Sequence, residues 1–129
     1  MLFYYSLMPT LIACLSTGKG TWSEVSKIIS AEKWDKIFLI TNEFGKEKFE
    51  ANAEFVVIDS FQDTSIIVGQ IKKQLKGKIT DFEVALNFVS GSGKEHMAIL
   101  EGVLELGLNF RLITLNKEGK MVSLGLDRK

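Results

Sequence analysis

Read for its apolar and polar positions alone, the chain alternates short runs of Val, Ile, Leu and Phe with longer stretches in which apolar residues recur every three or four places. The runs are TLIACLS (10–16), KIFLIT (36–41), EFVVIDS (54–60), FEVALNFVS (82–90) and FRLITL (110–115). Continuous apolar runs of this length, bounded by turn formers, predict strands buried on both faces of a parallel sheet. Between them, Trp22, Val25, Ile28 and Ile29 share one face of a first helix. Ile67, Ile71 and Leu75 share one face of another, with Lys72, Lys73 and Lys76 turned outward. Met97, Leu100 and Leu104, flanked by Ile99 and Val103, form a broad apolar stripe on a third. The segment GKEKFEANA reads as a short link between the second and third strands. In the tail, Lys117-Glu118-Gly119-Lys120 between two apolar segments predicts a hairpin that adds an antiparallel edge strand around 121–126.

Strands alternating with helices of this length predict an α/β fold. The expected form is a Rossmann-like open, mostly parallel sheet with helices on both faces, about five parallel strands being joined by the antiparallel edge strand. The 129 residues suit one domain, 1–129. Met8 followed by Pro9 marks an alternative start, which would make 1–7 an N-terminal extension. The apolar stretch before Ser16 lacks a basic n-region and falls short of the roughly 20 residues of a membrane-spanning helix.

Sixteen basic and sixteen acidic side chains balance, so the charge favours neither duplex DNA nor an anionic membrane, while a small ligand with few phosphates is compatible with it. Cys14 is the single cysteine; it reads as a small buried hydrophobe, and a reducing, cytoplasmic setting is expected. The lysines at 72, 73, 76 and 78 lack neighbouring aromatics and read as a solvated helix face.

Two strands give way to similar loops. The first is followed by STGKGTWSE (16–24), the fourth by SGSGKEH (90–96). Thr21 with Glu24, and Ser92 with Glu95, match capping boxes, so a helix is expected to start right after each glycine-bearing loop. Gly18, Gly20, Gly91 and Gly93 permit backbone conformations closed to other residues and let a ligand approach the chain. Helix starts present unpaired N–H groups to an oxyanion, and Lys19 and Lys94 add one charge to each loop. In the strand order 3-2-1-4-5 both loops open into the crevice at the topological switch point. Neither loop completes a nucleotide motif. For a Walker A loop, position 88 holds Phe in place of the first glycine and Glu95 replaces the magnesium-binding hydroxyl. For the dinucleotide fingerprint, Ser23 stands at the third glycine position.

Around the crevice, His96 is the only histidine and a candidate acid or base, with a packing role as the alternative. Ser16 and Thr17 are candidates to act on a bound phosphate or to serve as caps and turns. Trp22 is placed either to stack on a base or to pack on its apolar stripe. Asn42 and Glu43 follow the second strand, where this fold contacts a ribose, and Asn42 alternatively makes a turn. No set of residues has the spacing of a metal site.

This arrangement resembles the CRISPR-associated Rossmann fold, the CARF sensor domains. STGKGT stands where that family carries small hydroxyl and glycine residues after strand one. VSGSGKEHM stands at its later motif, close to TGGTK: Ser90 takes the threonine position, Gly91 the first glycine and Lys94 the lysine, with Ser92 and Gly93 replacing the inner Gly-Thr pair. The resemblance implies a symmetric homodimer whose paired loops surround a cyclic oligoadenylate, with no cofactor. It places Ser16, Thr17, Gly18, Lys19, Gly20, Thr21, Asn42, Glu43, Ser90, Gly91, Ser92, Gly93 and Lys94 at the ligand. It also implies a stand-alone sensor or a slow, metal-independent ring nuclease, with Lys94, Ser16, Thr17 and His96 as candidate catalytic residues. An enzyme acting on another nucleotide or phosphorylated metabolite, and a protein-interaction module without ligand, remain the alternatives.

Overall fold

The computed structural model describes residues 9–16, 18–81 and 83–125, Lys19 in its backbone only. Strands β1 (Thr10–Cys14), β2 (Lys36–Thr41), β3 (Glu54–Val57), β4 (Glu83–Asn87), β5 (Asn109–Leu115) and β6 (Met121–Ser123) form one sheet in the order β3-β2-β1-β4-β5-β6. The first five are mutually parallel and β6 pairs antiparallel to β5, which is the expected α/β architecture with the expected switch between β1 and β4. Every residue of β1 is buried, as its unbroken apolar run requires at the centre of a sheet covered on both sides.

Period-two alternation divides the core between the two faces. Ile12, Cys14, Phe38, Ile40, Val56 and Leu86 meet α3 (Thr64–Leu75) and α4 (Gly93–Glu105) on one side. Leu11, Ala13, Leu15, Leu39 and Ala85 meet Val25 and Ile28 of α1 (Trp22–Ser30), together with Phe49, on the other.

Several details differ from the sequence reading. β1 ends at Cys14 and β6 at Ser123, short of the 10–16 run and of the edge strand expected around 121–126, with Leu124 and Gly125 in a turn. The link after β2 contains a six-residue helix, α2 (Glu43–Lys48), started by the Asn42 side chain, which accepts the Gly45 N–H at 3.0 Å. β3 stops at Val57, because Asp59–Gln62 fold into a turn around the Asp59 carboxylate. β4 stops at Asn87, whose buried amide donates to the Ile113 carbonyl at 2.9 Å and accepts the Val89 N–H. On α4 the buried face is Ala98, Ile99, Gly102 and Val103, leaving Met97 and Leu104 more than half exposed. Gly102 suits this packing: a Cβ there would lie 3.2 Å from Ile71 Cγ2, so a larger residue would require α3 to give way slightly.

At the outer edge, the Gln74 side chain of α3 pairs with both the N–H (3.0 Å) and the carbonyl (2.8 Å) of Val57. One turn earlier, Gln70 accepts the Asp59 N–H. The β5–β6 turn is built on Asn116, which accepts from Glu118 and Lys120, and on Gly119 at φ +79°. Among the described residues, no helix is long and apolar enough to cross a membrane.

Candidate functional site

The loops after β1 and β4 meet at the carboxyl end of the sheet, and a hydrogen bond joins them. The Ser16 N–H donates to Ser90 Oγ at 2.7 Å. Ser90 is fully buried, and its carbonyl accepts from His96 Nε2–H at 2.7 Å. The His96 ring lies stacked on Phe88, centroids 4.7 Å apart at 19°. Ser90 is therefore the clasp between the loops, and the His96 ring is held between the Ser90 carbonyl and Phe88.

Gly91, in the loop after β4, has φ +102°, a conformation that favours glycine. The fully buried Cys14 lies directly beneath it, and burial, with the Glu95 carboxylate adding to it, pushes the Cys14 thiol far above its ordinary range. Of the four loop glycines expected to need special backbone freedom, Gly91 alone has positive φ. Gly18, Gly20 and Gly93 have open space where a Cβ would stand, so these positions leave room for approach without strain.

Ser92 starts α4 with the expected capping box: its hydroxyl accepts the Glu95 N–H at 3.3 Å, and its own N–H donates to Glu95 Oε1 at 2.7 Å. The first-turn N–H groups of Gly93 and Lys94 take no part in the box and carry the partial positive charge of the helix start. Lys94 Nζ reaches across to the Ser60 carbonyl at 3.1 Å, tying α4 to the β3–α3 loop. An ammonium has three donors, and among the described residues this is the one bond Lys94 Nζ makes.

The first loop starts its helix differently from the expectation. A 3₁₀ turn, Lys19–Thr21, precedes α1, and Thr21 at φ −109°, ψ 6° makes no side-chain cap; its buried hydroxyl has no partner among the described residues. The loop is fastened instead by Trp22, whose indole N–H donates to the Ser16 carbonyl at 2.9 Å, and by Ser16 Oγ, which donates to the Gly18 carbonyl at 2.9 Å. Trp22 also packs edge-on against Phe49 (5.4 Å) and beside Phe44 (6.1 Å). Trp22 thus packs on its apolar stripe, as one of its two alternatives has it. Thr17 and the Lys19 side chain lie outside what is described. Asn42 is the α2 cap, and Glu43 is exposed in that helix's first turn at the same end of the sheet.

Sequence reasoning missed the Ser60 carbonyl, which no residue type announces, and the exposed Phe61 beside it. Their position after β3 was the available signal, since every β-to-α loop opens at this edge. Among the described residues, no group of three or more His, Cys, Asp or Glu side chains could hold a metal. Comparison of the chain with known protein families and with curated proteins finds no significant match.

Proposed function

We propose that the switch-point crevice binds a phosphate-bearing nucleotide, a cyclic oligoadenylate, between two copies of the chain, as the resemblance to CARF sensors implies. One observation carries the reading: the Ser16 N–H to Ser90 Oγ bond brings the β1 and β4 loops together at the start of α4. There α4 starts with the Gly93 and Lys94 N–H groups, and the Lys94 ammonium, bonded to the Ser60 carbonyl, adds a full charge from the same turn. These are three donors of one sign, suited to phosphoryl oxygens. In this proposal Ser16, Gly18, Gly20, Gly91, Ser92 and Gly93 line the site, and buried Ser90, with His96 bonded to its carbonyl, positions the two loops.

The second copy sits, in this proposal, on the groove of about 700 Å³ between α3 and α4, lined in part by Val68, Gly69, Met97, Leu100 and Leu104. Met97 lies one turn from Lys94, so this face adjoins the start of α4. A symmetric dimer suits a ligand with repeated phosphates, because one patch is used twice.

Slow ring opening fits the same site. A ribose 2′-hydroxyl would attack the adjacent phosphorus, giving a 2′,3′-cyclic phosphate as the P–O5′ bond breaks and the 5′-oxygen takes the proton. Lys94 and the α4 N–H groups would hold the charge on the phosphoryl oxygens. The His96 Nε2–H is engaged with the Ser90 carbonyl, so only Nδ1 is left to take a proton, and with no carboxylate assigned to orient it the turnover is expected to be slow.

The test is a thermal-shift titration with AMP, ATP, NAD, linear oligoadenylates and cyclic tri-, tetra- and hexa-adenylate, followed by chromatography of each nucleotide. One cyclic species should raise the melting temperature of the wild type, and Lys94→Ala should weaken that binding by tenfold or more, on the order of one charge-assisted hydrogen bond. Stabilisation by none of them, or equal affinity in Lys94→Ala, refutes the reading. Light scattering with and without ligand tests the dimer, and Leu104→Asp should disrupt it.

A further inference from the structure

We propose that Phe61 is the base-stacking residue of this site, and so the source of its preference for a nucleotide over other phosphates; the inference rests on the nucleotide reading above. Phe61 is 95% exposed, far more than the other exposed apolar side chains of the described residues. A lone exposed apolar residue is ordinary in itself. What sets this one apart is its place and the rigidity of its support.

The place is fixed by Lys94. Its ammonium lies 3.1 Å from the Ser60 carbonyl, so the Phe61 ring leaves the chain one residue from the atom that Lys94 holds. A phosphate at Lys94 and a base at Phe61 would be neighbours, as they are within a nucleotide. Phe44, the other exposed aromatic at this edge, is less suited because it is 40% exposed and lies against Trp22.

The support comes from four bonds. The Phe61 N–H donates to Asp59 Oδ1 at 3.0 Å, and the Gln62 N–H donates to the Asp59 carbonyl at 3.1 Å. The Asp59 N–H is held by Gln70 of α3, and the Gln62 amide reaches Asp59 Oδ2. The turn is thus shaped from within and anchored to a helix. An aromatic ring on a fixed backbone stacks on a base at a small entropic cost, since only its own χ angles remain to be ordered. Stacking on a π-face is indifferent to hydrogen-bond pattern, so it would serve repeated adenines in either copy of a dimer.

The experiment compares wild type, Phe61→Ala and Phe61→Trp in binding to the cyclic adenylate that stabilises the wild type most. Removal of one stacking ring should weaken binding by roughly tenfold or more. The exposed side chain makes an effect of Phe61→Ala on the melting temperature of the free protein small. Phe61→Trp should bind at least as well as wild type, and ligand should quench its added indole emission, with wild type correcting for Trp22 and Trp34. Phe61→Ala binding within twofold of wild type overturns the inference and leaves the nucleotide reading standing. Weakened binding in Phe61→Ala without rescue and quenching in Phe61→Trp also overturns it, by assigning the loss to loop shape. A wild type that binds no nucleotide overturns both.

Discussion

Gly91 is the position where one added methyl group tests the geometry of the site most severely. In Gly91→Ala the new Cβ would stand 2.4 Å from Cys14 Sγ, 3.1 Å from Glu95 Oε1 and 3.2 Å from His96 Nε2. The sulfur belongs to a fully buried side chain in the central strand and has no open side to move into. Backbone at φ +102° costs a residue with a Cβ about 1–2 kcal/mol, and forcing a methyl into a packed site costs about 1–3 kcal/mol more. The expected loss is therefore roughly 2–5 kcal/mol. It is read in urea unfolding as a lower midpoint at constant slope. Gly93→Ala is the control, because its Cβ meets nothing and its φ is not positive; it should stay within about 1 kcal/mol of wild type. In a Cys14→Ala background the sulfur contact is gone, so Gly91→Ala should recover about 1–3 kcal/mol while the backbone cost remains. A Gly91→Ala variant as stable as Gly93→Ala, or one whose loss is the same in both backgrounds, would refute the packing argument.

Two further outcomes follow from the same neighbourhood. Ser90→Ala leaves the Ser16 N–H without its acceptor and should cost about 1–3 kcal/mol in urea unfolding, with faster hydrogen exchange at the Ser16 amide; unchanged exchange would show that the loops are held together by something else. Burial keeps the Cys14 thiol protonated in the folded chain at pH values where the unfolded chain ionises. Stability from this source is complete below the ordinary thiol pKa of about 8.5 and declines as pH rises above it. Cys14→Ala should flatten that decline, and the native thiol should resist a disulfide reagent until the chain unfolds; equal slopes, or rapid labelling of folded protein, would contradict the burial.

The strands were legible because each apolar run is short, continuous and bounded by turn formers, and β1, TLIAC, is the plainest case; their order was an assumption taken from the fold class, since no run names the strand it pairs with. The Ser92 capping box was legible because its bonds lie within four residues. Its counterpart at Thr21 was not, because the Trp22 indole and the Ser16 carbonyl give that loop another fastening, and an interposed 3₁₀ turn takes the place of the cap. α2 left no periodic trace, since a six-residue helix started by Asn42 needs little amphipathic pattern. On α4, Met97, Leu100 and Leu104 matched a helical stripe, but the small residues Ala98 and Gly102 lie on the side that faces the core, with Gly102 close to Ile71, and an apolar count gives small residues little weight. The tie from Lys94 to Ser60 spans 34 residues and ends on a backbone carbonyl, so no motif could have pointed to it.

The pairing of Gln74 with Val57 has a consequence beyond the packing of α3. β3 is an outermost strand, and an open strand edge is a template on which another chain can add its own. The Gln74 carboxamide offers one donor and one acceptor to Val57, as the peptide group of a further strand would. Gln70 occupies the next outward N–H, at Asp59. The helix thus imitates a short stretch of neighbouring strand and closes the carboxyl end of the β3 edge to pairing with another chain, by means of two glutamines one helical turn apart.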